Sequence, residues 1–202
     1  MVTLVPDEDL MLQVREGEGE KLGVLFDRYQ TPLFNFYVKL TGNRAASEDL
    51  VQEVFLRILK YRRSYHPGTP FRSWMYQIAR NARLDAVRKQ RPDAEYSEAM
   101  APMVPHADRA QQNQEAALLH RALMQLPEEK REVLILSRFQ ELKYEEIARL
   151  LGCEVGAVKV RVHRALRDLR VAFQGLAGGA GGKQTSSEGP KTFFAGGAGN
   201  EL

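Results

Sequence analysis

The chain has 202 residues, 44% of them hydrophobic and 27% charged, and its 29 basic and 26 acidic side chains leave a net charge of only +3. This is the composition of a soluble globular protein, long enough for two small domains. The overall charge points to no class of partner, so only its distribution is informative. Cys153 is the only cysteine, which excludes an internal disulfide framework and a cysteine cluster for zinc. His66, His106, His120 and His163 are scattered without an i, i+4 pair, so no metal and no cofactor is expected. The first residues, MVTLVPDEDL, carry acids where a signal peptide needs basic residues. No apolar run approaches the roughly 20 residues that span a bilayer, so a cytoplasmic protein without membrane insertion is expected.

Helical periodicity dominates and strand signals are almost absent, which predicts an all-α fold. Two helical domains, 1–90 and 112–174, are separated by a linker at 91–111, where Pro92, Pro102 and Pro105 each bias the preceding residue away from helix. Acids outnumber bases in that linker. The stretch 175–202 is glycine-rich and cannot bury enough apolar surface to order itself, so a disordered tail is predicted; Phe193 and Phe194 alone stand out in it.

Within the first domain, ASEDLVQEVFLRILKYRRSY reads as a helix with Ser47 as N-cap, then Glu48 and Asp49 in the first turn. Leu50, Val54, Phe55 and Ile58 form its apolar side. Asp49, Gln52 and Glu53 lie on or near the polar side as an acidic patch, a pattern that a solvated helix face also explains. Pro67, Gly68 and Pro70 enforce a loop, after which a helix is predicted from about Arg72 to Gln90. Arg72, Arg80, Arg83, Arg88, Lys89 and Arg91 face only Asp85 there, interleaved with Tyr61, Tyr65, Phe71, Trp74 and Tyr76. Basic groups can track a nucleic-acid backbone while aromatics stack on unpaired bases. The spacing of Phe71 and Trp74 equally matches a buried helical stripe.

In the second domain, Pro127 and Glu128–Glu129 open a helix whose apolar side runs through Val133, Leu134 and Leu136. YEEIARLL follows and is ended by Gly152. A third helix then carries Val155, Val158, Val162, Leu166 and Leu169 at buried spacing. Lys159, Arg161, Arg164, Arg167 and Arg170 project away from that stripe, with Asp168 as the only acid. Two helices joined by a short glycine-bearing turn, the second of them basic, form a helix-turn-helix. Its second helix enters the major groove with its N-terminal residues nearest the bases. Glu154, Gly156, Ala157, Lys159, Val160 and Arg161 are therefore the predicted readers, and Arg164 and Arg167 the predicted phosphate contacts. No phosphate loop, nucleophile–base pair or metal constellation is present, so no catalytic residue is expected.

The stretches DLVQEVFLRILK (49–60), FRSWMYQIARNARLDAVRK (71–89) and 126–170, in this order and separation, resemble the bacterial RNA polymerase sigma factors of the small extracytoplasmic-function (ECF) group. The resemblance implies two helical domains, called regions two and four. It implies that Asp49, Gln52 and Glu53 dock on core RNA polymerase. It places Tyr65, Phe71, Arg72, Trp74, Arg80, Asn81, Arg83 and Arg88 at the promoter minus-ten element, which region two recognises and melts. It assigns the third helix of region four to the minus-thirty-five element as duplex, the linker to the path toward the active centre, and an anti-sigma factor as a further partner. Ala157 and Val160 stand where the family has threonine and serine, and Glu154 replaces a hydroxyl cap. The competing readings are a stand-alone helix-turn-helix regulator, which needs a dimerisation surface that no heptad supplies, and a helical interaction protein.

Overall fold

The computed structural model describes residues 5–90 and 110–180, and among these it holds helices and no strand. Helices α1 (Asp7–Glu16), α2 (Lys21–Thr41), α3 (Arg44–Tyr61) and α4 (Phe71–Gln90) form the first domain. Helices α5 (Ala110–Met124), α6 (Glu128–Leu134), α7 (Tyr144–Leu151) and α8 (Val155–Ala180) form the second.

The helix ends follow local chemistry. Pro6 precedes α1, Asp7, Glu8 and Asp9 occupy its first turn, and Gly17 closes it at φ 117°, a left-handed conformation that a side chain rarely adopts. The Glu8 carboxylate also accepts the Phe71 N–H at 3.0 Å, so α1 caps α4. The N-cap of α3 is Asn43, whose side chain accepts the Ala46 N–H at 3.0 Å. Ser47 is therefore not the cap. It is fully buried one turn further in, and its hydroxyl donates to the Asn43 carbonyl.

The first core is built from Leu10, Leu25, Leu33, Phe36, Tyr37, Val54, Ile58 and Met75, and the second from Leu123, Val133, Ile135, Ile147, Val158 and Val162. These side chains form one continuous cluster, because α2 meets α5 and α6, and α4 meets α7. A pair of domains separated by a linker does not predict that seam. Helix α8 continues to Ala180, six residues past the predicted domain end at Gln174. Helix α5 begins at Ala110, within the predicted linker. The rest of the linker and tail, with Phe193 and Phe194, lies outside the described residues.

Candidate nucleic-acid interface

The helix-turn-helix forms as local signals require. One Glu146 oxygen reaches back to the Lys143 N–H at 2.8 Å and caps α7. Gly152 takes φ 63° at the C-cap, and the Cys153 N–H returns to the Ala148 carbonyl at 3.0 Å. The Glu154 carbonyl accepts the first bond of α8, from the Val158 N–H at 3.1 Å. Val158, Val162 and Ala165 anchor α8 in the core, with Val155, Leu166 and Leu169 partly covered beside them. Glu154, Gly156, Lys159, Val160, Arg161, Arg164 and Arg167 are exposed, and Ala157 is half-buried. Val160 is 49% exposed, on the same helix as the buried Val158 and Val162.

The one acid of this helix is already occupied. Asp168 accepts from Lys130 of α6 at 2.6 Å and lies 3.5 Å from Arg167. The Lys130 ammonium holds its carboxyl below the usual carboxylate range. The exposed face of α8 is left cationic.

Helix α4 is divided by its own periodicity. Asn81 and Arg88 are exposed, with Arg88 3.7 Å from Asp85. The Asp85 carboxyl is held low chiefly by its hydrogen bond from Arg57 of α3 at 2.7 Å. The other stripe, Arg72, Tyr76, Arg80 and Arg83, turns toward the second domain. Arg72 donates to the Gln140 carbonyl, Tyr76 to the Gln140 side-chain oxygen, and Arg83 to Glu128. Arg80 lies 3.2 Å from Glu132, and Ser73 donates to the second oxygen of Glu146. Burial raises the Glu132 carboxyl against the pull of Arg80. The hydrogen bond from Arg83 lowers that of Glu128.

Arg131 of α6 completes the seam, donating to the Leu40 carbonyl at the end of α2 at 2.6 Å and to the Met124 and Leu126 carbonyls. The Nε–H groups of Arg83 and Arg131 are buried with no acceptor among the described residues. Each such orphan donor costs about 1–3 kcal/mol. The seam is therefore held by ion pairs whose desolvation is incompletely offset.

Two residues expected at a nucleic-acid face are core residues instead. Tyr65 and Phe71 are fully buried. The Tyr65 ring packs edge-on to Trp74 at 5.1 Å, and its hydroxyl donates to the Thr69 carbonyl. Phe71 meets Tyr29 edge-on at 5.3 Å. Aromatic rings that close a small core are not free to stack on bases. Trp74 is only partly covered.

The acidic patch on α3 also divides. Asp49 and Gln52 are exposed, whereas Glu53 is partly buried and accepts from Arg57 at 2.6 Å. Leu56, 64% exposed, continues the Asp49–Gln52 stripe one turn on, with Leu59 and Tyr61 exposed beside it. The sequence signal for Leu56 was its place off the buried Leu50, Val54, Ile58 stripe, an apolar residue where a solvated face requires a polar one.

Residues 25–92 match sigma-70 region 2, and residues 116–169 match sigma-70, region 4. The chain is 35% identical over 163 residues to RNA polymerase sigma factor CarQ of Myxococcus xanthus, covering 79% of this chain and 93% of that protein. It is 31% identical over 169 residues to ECF RNA polymerase sigma factor SigL of Mycobacterium tuberculosis, again over 79% and 93% of the two chains. The chain belongs to the ECF RNA polymerase sigma factors. As a sigma factor it acts in promoter-specific transcription initiation, and the first and second domains correspond to regions two and four. The fold is also that of the sigma factor RpoE of Bartonella quintana, solved in complex with the anti-sigma factor NepR, with a TM-score of 0.62, 24% identity, and coverage of 75% of this chain and 96% of that one. No described helix of this sigma factor is long and apolar enough to cross a membrane.

Proposed function

We propose that this sigma factor docks on core RNA polymerase through Asp49, Gln52 and Leu56 of α3, reads the minus-thirty-five duplex with α8, and recognises and melts the minus-ten element with α4. The observation that carries this reading is the exposed cationic face of α8 on a helix-turn-helix, in a chain that also carries region two. Lys159, Val160 and Arg161 lie nearest the bases, with Glu154, Gly156 and Ala157 at the entry turn, while Arg164 and Arg167 hold phosphates. On α4, Asn81 and Arg88 face outward, and Arg72, Arg80 and Arg83 join them when the seam opens. The protein carries out no chemistry of its own; it supplies selectivity to the polymerase in the cytoplasm. RpoE bound to NepR supports an anti-sigma factor as a further partner.

The test is run-off transcription with purified core polymerase and genomic promoter fragments. Transcripts of discrete length that require the chain are expected. Tight, selective binding of the free chain to a two-fold symmetric site, with no effect on core polymerase, would instead establish a stand-alone regulator.

A further inference from the structure

We propose that Val160 is a specificity residue of a particular kind: it reads the 5-methyl group of one thymine in the minus-thirty-five element. This rests on the proposed placing of α8 in the major groove. Single exposed apolar side chains are common on protein surfaces, so exposure by itself carries nothing. The place of Val160 on the helix does. At about 3.6 residues per turn, the buried Val158 and Val162, two residues to either side, straddle the far side of α8. Val160 therefore stands at the middle of the outward face, opposite the stripe that anchors the helix.

The residues around it leave that face open. One turn before Val160 come Gly156 and Ala157, and one turn after come His163 and Arg164, both exposed. Nothing lies within 4 Å of a Cβ built on Gly156. The packing of the chain itself thus makes no demand for glycine there, and a helix with small residues at its entry turn can bring its backbone close to a ligand. Lys159 and Arg161 are exposed to either side of Val160, so the one apolar side chain of this face lies between two cations.

Chemistry then selects the base. Valine neither donates nor accepts a hydrogen bond. Facing a G·C pair, it covers donors and acceptors and offers them no partner, which is costly. The thymine methyl is the one apolar group that the bases present in the major groove. Val160 stands where the family has serine, a residue that both donates and accepts. A methyl reader at this position is therefore a property of this chain's own residue.

The experiment uses the holoenzyme on a promoter found by run-off transcription. Each thymine of the upstream element, on both strands, is replaced singly by deoxyuridine, which keeps every hydrogen-bonding group and removes only the methyl. Footprint titration reads affinity. One position is expected at which the parent loses about fourfold, the worth of one buried methyl group. Val160→Ala should bind the unmodified promoter several-fold more weakly and be indifferent to deoxyuridine at that position. Arg164→Ala should weaken binding to every template and keep the deoxyuridine effect.

The deoxyuridine series on the parent needs no altered protein, so its result does not depend on how a variant folds. An upstream element that the parent protects, with no thymine sensitive to loss of its methyl, would overturn the methyl reading. A deoxyuridine effect of equal size in Val160→Ala would assign the methyl to another side chain. Uniform weakening by Val160→Ala, with the deoxyuridine effect intact, would make Val160 a contact to protein rather than to a base. Absence of any protection over the upstream element would count against the placing of α8 itself, and the methyl reading would fall with it.

Discussion

The Phe71 N–H donates to the Glu8 carboxylate at 3.0 Å, so a side chain of the first helix caps the fourth across 63 residues of sequence. The proline-bearing loop before α4 supplies no cap of its own, and α1 is thereby tied to the start of the basic helix. Glu8→Ala should cost about 1 kcal/mol, the usual loss for an N-cap acceptor. That corresponds to a fall of about 2–4 °C in Tm for a chain of this size. Glu8→Gln, which keeps an acceptor, should recover most of it. Thermal denaturation followed by circular dichroism checks both, and an Ala variant as stable as the parent would remove the cap from the account.

The division of the α3 patch separates docking from stability. Asp49→Ala and Leu56→Ala should each weaken binding to core polymerase, within about 1–4 kcal/mol, without loss of helicity. Glu53→Ala should act differently, because it releases Arg57, whose guanidinium also holds Asp85. It should lower the unfolding midpoint in denaturant more than polymerase affinity. Equal polymerase defects in Asp49→Ala and Glu53→Ala, with unchanged stability, would restore the undivided patch.

On α8 the position of each cation along the helix predicts its kind of contact. Arg161→Ala should cost about 1–3 kcal/mol of discrimination at one base pair of the upstream element. Arg167→Ala should weaken binding across all sequences and reduce the salt slope by about 1. Footprinting of the holoenzyme on a set of single-base promoter variants, at two salt concentrations, distinguishes them. Uniform weakening by both variants would mean that α8 grips the duplex without reading it at Arg161.

His120 of α5 makes the fold sensitive to acid. Burial, with Lys39 and Arg131 nearby, pushes its pKa below the ordinary value of 6.5. The folded state therefore holds that proton less well than the unfolded chain. The stability it contributes is complete above about 6.5, the unfolded pKa, and is lost as pH falls through the lower folded pKa. The unfolding midpoint should drop more steeply below pH 6.5 in the parent than in His120→Gln. Parallel pH profiles for the two would show that this imidazole does not couple to folding.

The buried aromatics explain one limit of reading the chain without its fold. Tyr65, Phe71 and Trp74 flank basic residues at a spacing that serves a stacking platform and a helix core equally well. The rings of Tyr29 and Trp74 lie against Phe71 and Tyr65, and that contact decides the matter. Ser47 is similar: it has the chemistry of an N-cap, but Asn43 begins the helix one turn earlier.

What the sequence determined by itself is whatever depends on near neighbours along the chain. The helix-turn-helix belongs here, because Gly152 at a left-handed C-cap, acids at the start of α7 and valines at helical spacing act within a few residues. The cationic face of α8 belongs here too, since it needs only periodicity. The tertiary structure alone decided which charges are free. Arg83 meets Glu128 across 45 residues, and Arg131 meets the Leu40 carbonyl across 91. In the sequence Arg83 looks like one more member of the basic face of its helix. Burial and pairing depend on where helices pack, and charge pattern along one helix carries no information about the helix that comes to lie against it.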